Sequence, residues 1–311
     1  MGAPEALDKA PRSELWIGSN QYPAGLRHLA EPPKKLYILG DAQLLGSAQI
    51  AIVGARRPTP YGLSCARRFA MRAADWGIVV VSGGALGCDQ AAHRGALEAG
   101  GKTIVVLGCG ADHVYPPRAG TLFEKIVQSG GAIVSEVPWG SSPTRWAFSK
   151  RNRIIAGLAK TTLIVEAGLP SGTFQTADST LALGHELLVV PGAISSQESR
   201  GSNRLIREGA TPIVDDDSFD DALRATFSGE EPCFSLATKS EVNDQKGEVD
   251  CLFESDSQHK IVAALRAEAM RPEELAAALT FDLLDTIRLL SLLELNKHVQ
   301  RLRDGRYSTV F

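Results

Sequence analysis

The chain of 311 residues is 44% hydrophobic and 22% charged, with a formal net charge of −3. This composition is typical of a globular protein with one large core and room for a small second domain. Residues 1–20 contain no apolar stretch of the signal-peptide kind, and no apolar run is long enough to cross a membrane. The five cysteines form no C-x-x-C pair and no cluster with histidines, which argues against structural zinc and a disulfide framework. We therefore expect a cytoplasmic protein without membrane contact.

The small net charge conceals an uneven distribution along the sequence. Residues 215–256 contain thirteen acidic and three basic residues, a net charge of −10, so the rest of the chain carries +7. The folded core is therefore expected to be basic, although the whole chain is slightly acidic.

In chain order, residues 1–45 are predicted to be an N-terminal extension packed on the core. From residue 46 to residue 225, short β-branched apolar runs alternate with helix-length amphipathic segments. The runs are continuously apolar, which is typical of strands that are buried on both faces. This alternation predicts an α/β fold with a Rossmann-like, doubly wound, mostly parallel sheet. The apolar runs occupy residues 50–55, 78–84, 103–108, 132–136, 162–168, 187–192 and 211–216.

The C-terminal part of the chain is organised differently. Residues 226–256 lack an apolar period and are rich in acidic residues, Ser and Lys, which predicts a linker. Residues 257–311 predict three helices followed by a hairpin that turns at Asp304-Gly305. Three helices and a hairpin in this order indicate a small winged-helix domain.

Glycine-rich turns follow several predicted strands, as in VGARRPTPYG, SGGALGCD and EAGLPSGT. In an open α/β sheet, ligands bind beyond the carboxyl ends of the strands, and glycine lets the backbone approach a phosphate there. No G-x-G-x-x-G follows the first strand, and no G-x-x-x-x-G-K-[ST] is present. The sequence therefore indicates neither a dinucleotide fingerprint nor a Walker A loop.

Basic residues gather at the same predicted edge of the sheet. Arg56 and Arg57 follow the first apolar run, and the segment TRWAFSKRNR precedes the run TTLIVEA. Arginines beside glycine-rich turns, with aromatic rings among them, predict a site for a phosphate backbone with a base stacked on a ring. The cations and rings of the second segment are Arg145, Lys150, Arg151, Arg153, Trp146 and Phe148.

Catalytic motifs are absent from the sequence. The candidate acids Asp89, Glu136, Glu166 and Asp178 form no paired-carboxylate motif. The histidines of the predicted helices have no evident carboxylate or nucleophile partner. We expect no catalytic residue, no metal and no cofactor.

The segments IAIVGARRPTPYG, VSGGALGCDQAAHRGAL, SKRNRIIAGLAKTTLIVEA and SRGSNRLIREGA resemble the DprA/Smf family of DNA-processing proteins. The resemblance extends from about Tyr22 to Val214 and is most specific in RNRIIAGL. It implies a core that binds single-stranded DNA, forms a homodimer, protects incoming DNA and loads the RecA recombinase during natural transformation, without catalysis. The chain departs from the family pattern at Cys88, where Ile is usual, and at Ser149, where Pro is usual.

Motif matches and the basic segment together assign the DNA-binding residues. The family's G-(S/T)-R turn is matched at residues 54–56, its S-G-x-A-x-G-I-D loop at 82–89, its R-N-R block at 151–153 and its S-G-S-L turn at 171–174. The expected DNA-binding residues are Gly54, Arg56, Ser82, Gly83, Gly84, Phe148, Lys150, Arg151, Asn152, Arg153, Ser171, Gly172, Thr173 and Asn203.

Two other functions are compatible with parts of the sequence. Phosphoribohydrolases of a related fold carry P-G-G-x-G-T-x-x-E, which GLPSGTFQTADS resembles, but residues 175–177 (Gln-Thr-Ala) replace the acid that nucleotide hydrolysis needs. The second alternative is a nucleotide sensor that regulates transcription through the winged helix. Its helix FDLLDTIRLL places Asp282 and Asp285 where duplex reading needs basic residues, which favours a protein contact.

Overall fold

The chain forms two units, residues 1–238 and residues 239–311, each with its own apolar core. Most of the predicted acidic linker, residues 230–255, lies outside the described residues, so the linker stays a prediction. The computed structural model describes residues 7, 9–229, 256–295, 298–302 and 304–309.

The first unit is built on a nine-stranded sheet in the order β1-β2-β6-β5-β4-β3-β7-β8-β9. Strands β3 to β9 are parallel, as the continuous apolar runs predict, whereas at one edge β2 pairs antiparallel with β6 and β1 pairs antiparallel with β2. The strand order therefore reverses direction between β3 and β7. The strands are β1 Arg12–Trp16, β2 Lys35–Gly40, β3 Gln49–Val53, β4 Val79–Ser82, β5 Thr103–Leu107, β6 Ala132–Ser135, β7 Thr161–Ile164, β8 Glu186–Val189 and β9 Thr211–Pro212.

Helices cover both faces of this sheet, which makes it doubly wound. Successive residues of β3 alternate between the two cores: Ile50 and Ile52 pack with α2, α3 and α8, while Ala51 and Val53 pack with α1, α5, α6 and α7. Both faces are apolar because both are covered. The helices are α1 Ala24–Arg27, α2 Pro60–Asp75, α3 Cys88–Glu98, α4 Gly120–Gln128, α5 Arg145–Leu158, α6 Thr173–Ala182, α7 Arg200–Arg207 and α8 Asp216–Phe227.

The segment 1–45, predicted to be an N-terminal extension packed on the core, contributes two strands to the sheet. β2 pairs with β6 in the register Tyr37↔Ser135, and β1 pairs with β2. β6 would otherwise leave a row of backbone donors and acceptors unpaired, and β2 provides their partners. β1 and β2 are therefore part of the sheet itself.

The second unit contains three helices and a hairpin in the predicted order: α9 Asp256–Ala267, α10 Pro272–Leu279, α11 Leu283–Leu295, β10 Val299–Arg301 and β11 Tyr307–Thr309. Its small core joins apolar side chains of all three helices to the hairpin. The element order is confirmed, and the winged-helix assignment itself stays a prediction. None of the described helices combines the length and apolar character that crossing a membrane requires.

Candidate functional site

A cleft of about 1160 Å³ opens beside the carboxyl ends of β3 and β7. Strand order reverses at this point, so the loops that follow the two strands diverge and leave a crevice between them. Its walls come from the turn after β3 (residues 53–57), the first two turns of α5 and the loop that leads into α6 (residues 168–173). The cleft therefore lies where the glycine-rich strand ends of the sequence predict a ligand.

The turn after β3 is held in place by a buried carboxylate at the end of β7. Glu166, 1% exposed, accepts hydrogen bonds from the backbone N–H of Thr59 (2.8 Å) and from its hydroxyl (2.7 Å). The same hydroxyl accepts a hydrogen bond from the N–H of Gly62 at 3.2 Å and so caps the N-terminus of α2. This anchored turn carries Arg56 and Arg57, both exposed.

Gly54 begins the turn at a point where the backbone is packed too tightly for a side chain. A Cβ atom at this position would lie 2.7 Å from the Sγ of Cys88 on α3. The close approach of β3 to α3 therefore requires glycine here.

The floor of the cleft is formed by a buried arginine and a buried carboxyl. Arg151, 3% exposed, donates hydrogen bonds to the carbonyl oxygens of Gly83 (2.7 Å) and Val106, which end two neighbouring strands. Burial lowers the pKa of Arg151 to about 10, while Asp89 acts in the opposite direction. Burial likewise raises the pKa of Asp89, which accepts a hydrogen bond from the N–H of Ala85 at 3.3 Å.

One face of α5 forms a wall of the cleft. Arg145, Phe148, Ser149 and Asn152 line it at the i, i+3, i+4 and i+7 spacing of a single helix face. The ring of Phe148 packs against that of Tyr115 with centroids 5.0 Å apart, so two aromatic faces border the cleft. Arg145 is exposed at the start of the helix.

The N-terminus of α6 closes the opposite side. The hydroxyls of Ser171 and Thr173 are 2.6 Å apart, and the Thr173 N–H donates to Ser171 at 3.2 Å, which fixes the turn before the helix. Asn152 donates to the carbonyl of Gly172 at 3.3 Å and ties this turn to α5. The positive end of the α6 dipole therefore faces the same space as the exposed arginines and favours an anion there.

Eight of the fourteen predicted site residues line this cleft. Arg151 lies at the floor of the cleft and is bonded to strand-end carbonyls, so its expected DNA contact stays a prediction. The eight residues are Gly54, Arg56, Phe148, Arg151, Asn152, Ser171, Gly172 and Thr173.

Three predicted residues of the β4 loop lie behind the floor and do not reach the cleft lining. Ser82 is fully buried, and its hydroxyl donates to the carbonyl of Ile52 at 2.6 Å. Gly83 and Gly84 are also buried, and a Cβ at either position would collide with a neighbouring side chain, Arg151 or Val105 respectively. The motif at 82–84 therefore shapes the floor and supplies a carbonyl to Arg151.

The remaining three predicted residues are engaged elsewhere. Arg153 forms a two-pronged ion pair with Glu136 at 3.0 and 2.6 Å, and Lys150 lies 3.6 Å from Glu31. Asn203 binds the backbone of Gly192 through both its amide oxygen (3.1 Å) and its amide nitrogen (2.9 Å). All three are outside the cleft lining and have these partners in the structure, so their expected DNA contacts stay predictions.

Arg57, Arg145, Tyr115 and Gln175 line the cleft but were not among the predicted site residues. Arg57 and Arg145 belong to the basic residues that the sequence places at this edge, and Arg145 also lies three residues before Phe148 on the same helix face. Tyr115 belongs to a loop with no such period. The charged lining contains four arginines and two acids, Asp89 and Glu198. The described part of the chain has no cluster of three or more His, Cys, Asp or Glu that could hold a metal ion.

The doubly wound sheet with a basic, ring-bordered cleft at its switch point defines a Rossmann-like protein. A sequence model of the family described as DNA recombination-mediator protein A matches residues 13–224. The chain belongs to this family.

Curated relatives and solved structures agree with this assignment. Protein Smf of Escherichia coli K12 is 39% identical over 197 residues, which are 63% of this chain and 53% of the relative. DNA processing protein DprA of Bacillus subtilis 168 is 36% identical over 198 residues, covering 63% and 66% of the two chains. The chain thus spans about half the length of the Smf protein.

Two solved structures share the fold. The X-ray structure of DprA from Streptococcus pneumoniae has a TM-score of 0.63 at 32% identity and covers 70% of this chain and 75% of its own. The structure of DNA processing protein A from Helicobacter pylori has a TM-score of 0.64 at 34% identity and covers 70% and 98%. The latter was described for its single-stranded DNA binding mode.

Proposed function

We propose that this chain binds single-stranded DNA in the strand-end cleft, protects it, and delivers it to the RecA recombinase during natural transformation. In this proposal the protein acts in the cytoplasm as a homodimer. The observation that carries the proposal is a set of arginines at the cleft whose side chains have no described hydrogen-bond or ion-pair partner. Arg56, Arg57 and Arg145 are exposed, and no described residue forms a hydrogen bond or ion pair with any of their side chains. Each can therefore neutralise a phosphate without breaking a contact.

The shape of the cleft supports a single strand as the ligand. The Phe148 ring borders the cleft between Arg145 and the buried Arg151, whose guanidinium lies 5.7 Å from the ring centroid. A base can stack on such a ring only if it is unpaired, because duplex bases are already stacked on one another. Every base can stack on a ring, and the phosphates are the same at every nucleotide. Binding is therefore expected to tolerate changes in the DNA sequence.

The family assignment supports the step that follows binding. A recombination mediator brings a strand to a recombinase, and the Helicobacter relative is described as binding single-stranded DNA. We extend both properties to this chain, with RecA as the recombinase.

The structure gives less support to nucleotide hydrolysis, the alternative of the related phosphoribohydrolase-like fold. Gln175 lines the cleft at the position where that chemistry needs an acid. Asp89 is the buried acid of the floor, and it lies beside Arg151 and accepts a backbone hydrogen bond.

The proposal is tested by fluorescence-anisotropy titration of a labelled single strand and the matching duplex. We expect the single strand to bind more tightly, and Arg56→Ala to weaken its binding about tenfold, the size of one charge-assisted hydrogen bond. Arg94→Ala is the control, because Arg94 is also exposed, belongs to α3 and lies outside the cleft lining. Equal affinity for duplex and single strand, or indifference to Arg56, would contradict the proposal. An assay for nucleoside monophosphate release would then test the alternative.

Delivery to the recombinase needs a separate readout. We expect the full chain to accelerate RecA-dependent ATP hydrolysis on a single strand, and Arg56→Ala to reduce this acceleration in proportion to its loss of DNA affinity. Unchanged RecA activity in the presence of bound protein would leave DNA binding in place and contradict RecA loading.

A further inference from the structure

The face of α5 next to the cleft wall carries an exposed aromatic ring paired with a cation. Trp146 is 64% exposed, although large aromatic side chains are usually well buried in folded proteins. The Nζ of Lys150, one helical turn further on, lies 5.9 Å from the centroid of the Trp146 ring. The ring is thus a flat apolar surface with a positive charge beside it.

The position of Trp146 relative to the cleft follows from helix geometry. Arg145 lines the cleft, and the next residue is rotated by about 100° around the axis of α5. The Trp146 side chain therefore begins immediately outside the cleft lip on which Arg145 lies. A polymer that leaves the cleft past Arg145 meets the Trp146 ring next.

Lys150 is held loosely enough to exchange its partner for a phosphate. Its carboxylate partner, Glu31, lies 3.6 Å away, and the Glu31 side chain is 75% exposed. Exposed ion pairs of this kind contribute between about zero and 1 kcal/mol. The neighbouring Arg153 is different, because it forms two hydrogen bonds, at 3.0 and 2.6 Å, with Glu136, whose side chain is only 15% exposed.

We propose that Trp146 and Lys150 form a second base-stacking position for single-stranded DNA, outside the cleft and adjoining Arg145. This inference rests on the proposed function, because it requires a strand that already occupies the cleft. One base stacks on the indole ring, and Lys150 neutralises the phosphate beside it. The second position lengthens the part of the strand that the protein contacts. It therefore makes the protein bind longer strands more tightly than shorter ones, whatever their sequence.

The test compares two labelled oligothymidylates, one of about four nucleotides for the cleft alone and one of about sixteen nucleotides that reaches beyond it. We expect Trp146→Ala in the full chain to weaken binding of the longer strand by about fivefold to a hundredfold, the range for loss of one stacked base. Binding of the shorter strand should stay at the wild-type level. Trp146→Phe, which keeps a ring, should retain most of the affinity for the longer strand.

Trp16→Ala is the matched control variant. Trp16 is exposed to a similar degree, 58%, and has Lys35 at 4.7 Å from its ring centroid, but it belongs to the edge strand β1 and is absent from the cleft lining. It should bind both strands as the wild type does. In addition, the longer strand should quench tryptophan fluorescence in the wild type, and this quenching should be lost in Trp146→Phe.

Failure of this inference can be distinguished from failure of the proposed function. If Trp146→Ala binds both strands normally while Arg56→Ala binds both weakly, the cleft binds DNA and the second stacking position is wrong. If Trp146→Ala weakens both strands equally, Trp146 supports the fold of α5 and the inference is again overturned. If the wild type binds neither strand, both the function and the inference fail.

Discussion

Arg56 and Arg151 line the same cleft, but their surroundings give them opposite roles. Arg56 is exposed, and no described residue forms a hydrogen bond or ion pair with its side chain, so a phosphate can bind it without displacing such a partner. Arg151 is buried and holds the ends of two strands together through the carbonyls of Gly83 and Val106. Removing it would leave those carbonyls and Asp89 without their partner in a region of low dielectric, which is costly. Variants of Arg56 therefore test binding, whereas variants of Arg151 test the fold.

A buried histidine gives the protein a testable pH dependence. Thr103 donates its hydroxyl proton to the carbonyl of Val80 (2.6 Å), so the Nδ1 of His93 donates to the Thr103 oxygen at 2.7 Å. The Nε2 of His93 has no hydrogen-bond partner among the described residues, and burial lowers the pKa of His93 from 6.5 to about 3. Because the folded-state pKa lies below the unfolded value, stability from the neutral ring is fully present above pH 6.5 and is lost as the pH falls toward 3.

The measurement is urea unfolding of the wild type and His93→Asn at pH 7 and pH 5. The Asn amide can still donate to Thr103 but does not titrate. We expect the wild type to lose about 2 kcal/mol more unfolding free energy than the variant between the two pH values. Equal losses would mean that His93 takes up its proton in the folded state without penalty.

At the scale of elements, one face of α5 lines the cleft and another face forms ion pairs. The sequence predicts a helix here but does not predict which basic residues are ion-paired. The basic segment forms the N-terminal half of this helix, which begins at Arg145, and Phe148 and Asn152 line the cleft. Lys150 and Arg153 do not, because Glu31 and Glu136 come from distant segments of the chain that pack beside α5. A local pattern of charge contains no information about such partners.

The N-terminus of α2 is the element that positions Arg56 and Arg57. Thr59 links this helix to Glu166, so Thr59→Ala should remove the cap and leave a buried carboxylate oxygen without its donor, at a cost of about 1 to 3 kcal/mol. Single-strand affinity should fall as well, because the turn loses its anchor. Urea unfolding and anisotropy measure the two effects, and Thr59→Ser, which keeps the hydroxyl, should resemble the wild type. Unchanged affinity in a destabilised Thr59→Ala would show that the turn holds its shape without the cap.

At the scale of the whole molecule, the fold of the first unit was largely readable from the sequence. Strands buried on both faces are continuously apolar, so β3 to β8 stand out, and parallel order follows from the helices between them. β1 and β2 were missed because a long connection separates them, and because β2 finds its partner in β6, far along the chain. The position of the cleft was predictable from the ends of the strands. The residues that line it were not, because they depend on which side chains become buried or paired when the chain folds.

The charge distribution leads to the final prediction, the salt dependence of binding. Residues outside 215–256 carry +7, and three uncommitted arginines of that part lie at the cleft. Each phosphate neutralised on a single strand contributes about −0.7 to the slope of log affinity against log salt, so three contacts predict a slope of about −2. Arg56→Ala should reduce the magnitude to about 1.4, since one contact is removed, while Arg94→Ala should leave it unchanged.

Anisotropy titrations between 50 and 200 mM salt, roughly the range over which such contacts weaken, measure the slope. A flat line would exclude phosphate contacts as the basis of binding, and a steep line unaffected by Arg56→Ala would move the binding surface away from this cleft.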